Sequence, residues 1–326
     1  MRRILVTGSA GVLGFGVRLI ASEYLDREFV FSTRTDCDLR DAEACRRLVR
    51  RVEPDAVMHL AAVSGGVALS MRYPATLLRD NVLMTVNMLE AARLCRVGKI
   101  IMALSSGMYS PDAPQPIRAE SVHCGAAHES NYSYAYAKRL IEPAVRAYRA
   151  EYGLNVIGLV PNGMFGEGDD FGVESASMPA ALMRRFYEGR DVTDDLVVWG
   201  DGSPLRELTY SRDMARAFLW GLDHYEEGEI LNVGTSVELS VMDVAFLIAE
   251  ELRIDRRRIV FDRTKPSGVF RKQTDTSRFA KLSGLTFTPF PVGLRNTLAW
   301  LRENYEAAVR GEAPPALAGD HAERRS

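Results

Sequence analysis

Long apolar runs, a large net charge and paired metal-binding residues are all missing from this 326-residue chain, and each absence removes a class of function. No uninterrupted apolar stretch approaches the ~20 residues of a membrane-spanning helix. Lys+Arg and Asp+Glu stand at 41 and 43, so the net charge of −2 offers no overall field to nucleic acid or an anionic membrane. Any anion must therefore be bound locally. Cys37, Cys45, Cys95 and Cys124 show neither C-x-x-C spacing nor a histidine pairing suited to zinc. Buried free thiols in a reducing compartment are expected, and no metal site. Met1-Arg2-Arg3 leads straight into a strand pattern with no apolar leader, so the expected location is cytoplasmic. No internal repeat occurs, and the Ala/Pro/Gly/Arg-rich tail from Gly311 is expected to be disordered.

What is present is the composition of an ordinary globular protein, 47% hydrophobic and 26% charged, long enough for two joined lobes. Ile4-Leu5-Val6-Thr7 reads as a strand and runs at once into Gly8-Ser9-Ala10-Gly11-Val12-Leu13-Gly14, with a helical pattern after it, from 17 to 24. In that context the glycines let the backbone approach a dinucleotide pyrophosphate seated on the helix N-terminus. The second strand, 29–31, ends in Ser32-Thr33-Arg34, where an NAD-binding protein places an acid for the ribose 2′-OH. A cation behind two hydroxyls suits a 2′-phosphate instead, so NADP is expected over NAD, with Asp36 the residue that argues against it. Asp38 and Leu39 are expected against the adenine, Asp38 alternatively as the N-cap of a helix ending at Val52.

Further strands over 56–60, 99–104 and 155–160, with helices over 77–94 and 132–152, continue the alternation and predict an α/β fold with a doubly wound parallel sheet. Leu60-Ala61-Ala62 and the small residues after it leave room for a ligand at the sheet's carboxyl edge, as does Pro161 after the fifth strand. His59 reads as a core histidine. Beyond residue 165 the regularity drops. A Gly/Asp/Ser loop covers 166–177, helices are expected near 178–187, 241–253 and 294–308, and strands near 196–200 and 229–234. The expected organisation is a cofactor domain over 1–165, rejoined by segments near 205–235, and a substrate lobe over 166–310.

The chemistry points to one helix. Tyr134 and Lys138 are four residues apart and share a face, and an ammonium beside a phenol lowers a pKa that starts near ~10. Such a tyrosine transfers protons at neutral pH. Three tyrosines packed on an amphipathic helix are the alternative, and the rest of the chain decides between them.

Ser105 after a strand, Tyr134-x-x-x-Lys138 and the early glycine turn together resemble the extended short-chain dehydrogenase/reductase superfamily, with a Rossmann-type cofactor domain and a smaller C-terminal lobe. Val198-Trp199-Gly200-Asp201-Gly202-Ser203-Pro204-Leu205-Arg206-Glu207, Asn232-Val233-Gly234-Thr235 and Lys265-Pro266-Ser267-Gly268-Val269-Phe270-Arg271-Lys272 narrow the resemblance to the GDP-L-fucose synthase family. The resemblance spans about residues 3 to 308. It implies that NADPH reduces a nucleotide-sugar C4 ketone, that Tyr134 protonates the oxygen, that Lys138 holds the nicotinamide ribose and that Ser105 binds the ketone. It implies also that Arg185, Trp199, Arg206 and Lys272 hold a GDP diphosphate, with Ser106, Gly107, Asn162 and Leu182 lining the substrate. A homodimer through the helices at 77–94 and 132–152 is implied too.

Two departures qualify this. The family places a cysteine two residues after the catalytic serine, where this chain has Gly107, and a histidine shortly before Pro179, where it has Ala176-Ser177-Met178. No histidine lies between His128 and His224. Glycine has no proton to move, and an unassisted serine is a poor base. The expectation is therefore a C4 ketoreductase of a GDP-linked 4-keto-6-deoxy hexose or heptose that does not epimerise C3 and C5. The alternatives are a bifunctional synthase with substituted groups, His123 and His128 being the nearest, and an NAD-retaining epimerase or dehydratase.

Overall fold

The computed structural model describes residues 1–192, 194–265 and 269–310, so Pro266, Ser267 and Gly268 of the motif above and the tail from Gly311 lie outside the described residues. In chain order the first half contains β1 (Arg2–Thr7), α1 (Val12–Ile20), β2 (Arg27–Ser32), α2 (Ala42–Val52), β3 (Ala56–His59), α3 (Val67–Arg72), α4 (Pro74–Leu94), β4 (Lys99–Ala103), α5 (Tyr132–Arg139), α6 (Ile141–Tyr152) and β5 (Val156–Pro161). The second half contains β6 (Met164–Phe165), α7 (Met178–Gly189), β7 (Leu196–Trp199), β8 (Leu205–Glu207), β9 (Thr209–Tyr210), α8 (Ser211–His224), β10 (Leu231–Val233), β11 (Glu238–Ser240), α9 (Val241–Glu251), β12 (Ile259–Asp262), α10 (Ser277–Ser283) and α11 (Phe290–Arg310).

Six strands form one parallel sheet in the order β10-β5-β4-β3-β1-β2. The middles of β1, β3, β4 and β5 are near-continuous apolar runs because both faces are covered. Alternate side chains point to opposite faces. Leu5, Val57, Ile100 and Met102 pack against α2, α4 and α6, while Ile4, Val6, Met58 and Ile101 pack against α1 and α8. A third cluster, with Phe186 of α7, Ile248 of α9 and Leu298 of α11, is the core of the smaller lobe.

The chain reverses its direction across the sheet after β2, because β3 returns to the other side of β1. The carboxyl ends of β1 and β3 thereby become a switch point where a ligand fits. Two boundaries and one element differ from expectation. α1 begins at Val12, directly on the glycine turn. α2 begins only at Ala42 and its N-cap is Asp41, whose carboxylate accepts from the Ala44 N–H, so Asp38 is not a cap. α8 was not anticipated, although Met214, Ala215, Phe218, Leu219 and Leu222 stand at helical spacing and are buried against the sheet. The cysteines are unpaired, but only Cys37 and Cys45 are buried; Cys95 is half-buried and Cys124 exposed. Among the described residues no helix is long and apolar enough to cross a membrane.

Candidate active site

The glycine turn forms the floor of the site. Gly8 has φ +71°, and a Cβ on it would lie 2.5 Å from the Ala61 nitrogen. A Cβ on Gly14 would lie 2.4 Å from the Gly8 carbonyl oxygen. Both positions exclude any side chain. Above the turn is a cavity of about 610 Å³. Its walls include Gly8, Ala10, Gly11, Val12, Leu13, Gly14, Arg34, Asp38, Leu39, Leu60, Ala61, Ala62, Tyr134, Lys138 and Pro161, so almost the whole expected cofactor set converges. Ser9 is the exception. It is fully buried and its hydroxyl donates to the Ser32 carbonyl, so it braces the turn from behind.

At the β2 end, the residue that argued against NADP is otherwise engaged. Asp36 accepts from the Thr33 N–H at 2.8 Å and the Thr33 hydroxyl at 2.7 Å, closing its own turn. Asp38 also lines the cavity, but Arg40 binds its carboxylate at 2.7 Å and holds the pKa down at about 2. Arg40 reaches Asp80 on α4 as well, at 3.1 Å. Arg34 is exposed and forms no ion pair among the described residues. Arg40 was missed as a site residue, although it stands two residues past Asp38 in the same loop.

Ser105, Tyr134 and Lys138 come together where β4 meets α5. Tyr134 is hydrogen-bonded to Ser105, and Lys138 donates to the Ala103 carbonyl at 2.8 Å. The electrostatics correct the expectation drawn from spacing. The Lys138 Nζ lies 5.9 Å from the phenol's ring centroid, and burial, not the ammonium, is the largest influence on the phenol. Burial instead raises the tyrosine's pKa, with the Ser105 hydrogen bond opposing, and pushes Lys138 down to about 8. Desolvation dominates because Lys138 is buried and Tyr134 partly so. The phenol is protonated at neutral pH, as a proton donor must be, although the raised pKa makes it a weaker acid. His59 is a core histidine as expected, bonded to the Thr7 hydroxyl at 2.9 Å and held down at about 3 by burial.

Next to this trio stands Gly107, without a side chain. Ser105 caps the short turn Ser106–Met108, and a Cβ on Gly107 would stand 3.2 Å from the Ser105 hydroxyl and 3.5 Å from the Asn131 amide nitrogen. Glycine itself brings no proton-transferring group to this position. Ser177 sits at the N-cap of α7, and the chain before it meets the Gly66 loop, whose N–H donates to the Ser175 carbonyl. His123 pairs with Glu142 and His128 with Ser130, both in exposed contacts.

In the smaller lobe Arg185 of α7 donates to the Val197 carbonyl, on the strand that ends in Trp199, itself 57% exposed. Arg206 of β8 lies beside Lys272, each with its pKa lowered by burial, Lys272 also by the neighbouring guanidinium. None of these three cations forms an ion pair among the described residues. Two expected substrate contacts have internal roles instead. The Asn162 amide accepts from Thr209 and donates to the Thr235 carbonyl, and Leu182 is 4% exposed within the lobe core. The turn after β5 draws Asn162 inward to join three strands.

A model of the NAD dependent epimerase/dehydratase family matches residues 4–234. A GDP-L-fucose synthase of Dictyostelium discoideum is 34% identical over 94% of this chain and 97% of its own length. The solved structure of a GDP-L-fucose synthetase from Naegleria fowleri bound to NADP is 33% identical, with TM-score 0.87 over 94% of this chain and 95% of that one. A GDP-6-OMe-4-keto-L-xylo-heptose reductase from C. jejuni shares the fold, with TM-score 0.85 at 20% identity, covering 93% of this chain and 98% of that one.

Proposed function

This chain belongs to the NAD dependent epimerase/dehydratase family, and from that premise we propose that it uses NADPH to reduce the C4 ketone of a GDP-linked 4-keto-6-deoxy sugar, hexose or heptose, without epimerising C3 or C5. The observation that carries the reading is the intact Ser105–Tyr134–Lys138 trio beside a bare Gly107. The relatives' names support the GDP-sugar class, and the NADP-bound relative supports the cofactor.

The cavity suits NADP on its own evidence. Backbone N–H groups at the start of α1 face a pyrophosphate position that only glycines leave open. Arg34, with Asp36 turned away and Asp38 neutralised by Arg40, suits a 2′-phosphate. Bound there, NADPH supplies a hydride to the C4 carbon. Tyr134 gives its phenolic proton to the oxygen, and Ser105 holds that oxygen in line. Lys138 holds the nicotinamide ribose and steadies the phenolate left after transfer. Arg185, Arg206 and Lys272 bind the diphosphate, and Trp199 stacks on the base or sugar. Leu78, Leu83 and Val86, exposed on α4, support a homodimer through that helix, which light scattering checks.

The second reading is the bifunctional 3,5-epimerase/4-reductase that the synthase relatives' names favour. Epimerisation removes a proton beside the ketone and returns one from solvent. The reaction run in D2O with NADPH, on GDP-4-keto-6-deoxymannose, separates the two readings. Product without deuterium at C3 and C5 is expected; deuterium there refutes the proposal in favour of the synthase.

A further inference from the structure

Arg206 and Lys272 repel one another, yet the fold holds them together half-buried with no acid between them. Something must hold the segment that carries Lys272, and its attachment points are visible. At its front the Leu205 N–H donates to the Phe270 carbonyl at 2.8 Å and Arg206 donates to the Val269 carbonyl at 2.9 Å. At its back Glu207 accepts from both the Thr274 N–H, at 3.0 Å, and the Thr274 hydroxyl, at 2.8 Å, through one oxygen. Lys272 lies between these grips.

Glu207 is an expensive choice for a clamp. It is 4% exposed, its other oxygen has no partner among the described residues, and Glu238 stands opposite it across the β8–β11 ladder. Glu238 is balanced by Arg271, at a distance near 2.5 Å, whereas Glu207 has no bonded cation among the described residues. Asn162, the residue after Pro161 on the cofactor wall, lies close enough to influence its charge. A buried carboxyl without a counter-ion, its pKa pushed up to about 7 by burial, is retained at a cost in stability that simple packing does not require.

We propose that Glu207 is a positioning residue for the nucleotide-sugar site: through Thr274 it holds Lys272 beside Arg206, so that both cations face the substrate's diphosphate. The proposal rests on the assignment of Arg206 and Lys272 to that diphosphate.

The test uses GDP as the binding probe, with steady-state kinetics on the ketosugar. Glu207→Leu and Thr274→Val each remove one side of the clamp without touching either cation. Each is expected to raise the Kd for GDP and the KM for the sugar nucleotide about tenfold, the size of a lost buried hydrogen bond, with kcat and the KM for NADPH within about twofold. Glu207→Gln keeps an acceptor oxygen and is expected to restore most of the affinity. The double variant is expected to be no weaker than Glu207→Leu alone, because both changes break one contact. Thr274→Val is close to isosteric and carries the test if Glu207→Leu does not fold. Arg206→Ala and Lys272→Ala separate the two ideas. If they leave GDP binding unchanged, the diphosphate assignment fails. If they weaken it while Thr274→Val does not, or if the clamp variants lower kcat and raise KM for NADPH alike, the positioning role is overturned.

Discussion

Replacing Lys138 with methionine is expected to make the cofactor-free protein more stable at neutral pH while abolishing its activity. Lys138 is 4% exposed, and burial pulls its pKa from 10.5 to about 8. A protonated amine so displaced destabilises the native fold by about 3 kcal/mol at pH 7. Methionine matches the length of the side chain but loses the hydrogen bond to the Ala103 carbonyl, a loss of about 1 kcal/mol. The net gain expected for Lys138→Met is therefore about 2 kcal/mol at pH 7. The sign changes with pH in a defined way. The penalty is complete below pH 8, where lysine is charged in both states, and is relieved as pH rises from about 8 to 10.5, where only the unfolded chain binds the proton. Urea denaturation of wild type and variant across that range should show the advantage shrinking, crossing zero and, above pH 10.5, becoming a deficit of about 1 kcal/mol from the lost hydrogen bond. Saturating NADP should reverse the order, because Lys138 lines the cofactor cavity and the variant loses that contact. A variant less stable than wild type at pH 7, or a difference flat from pH 7 to 10.5, refutes the argument that desolvation governs this lysine.

Three further outcomes are expected. Tyr134→Phe should lower kcat by about 10²–10⁴ while NADPH and GDP bind within about twofold of wild type, measured by fluorescence titration, because only the proton is lost. Arg34→Ala should raise the KM for NADPH about 10–100-fold and leave that for NADH nearly unchanged, the effect of one charge-assisted bond to a 2′-phosphate; equal effects on both cofactors would remove Arg34 from that role. Gly14→Ala places a methyl 2.4 Å from the Gly8 carbonyl oxygen, and should destabilise the fold by about 1–3 kcal/mol in urea and abolish NADPH binding.

The parallel sheet, the glycine turn and the Tyr134–Lys138 pair were legible in the sequence because each is local. A buried strand is an apolar run, a pyrophosphate turn needs glycines at fixed spacing, and a helix face is read from residues four apart. The family was legible for the same reason, through short motifs spread over the chain. Charge balance was not. Spacing alone placed Lys138 where it lowers a phenol's pKa, but burial depends on the strands and helices packed around both groups, and it reverses that direction for Tyr134 and depresses Lys138. The same holds for Asp36 and Asp38, acids whose bearing on cofactor choice follows from Thr33 and Arg40 closing on them. Asn162 and Leu182 look like site residues in sequence and are internal in space. Only the tertiary structure joins β8 to the segment at 269–274, over more than 60 residues of chain, and so shows what holds Lys272 against Arg206. Sequence determines what chemistry the groups possess; packing decides which of them keep their charge, which partner neutralises it and which face the cleft.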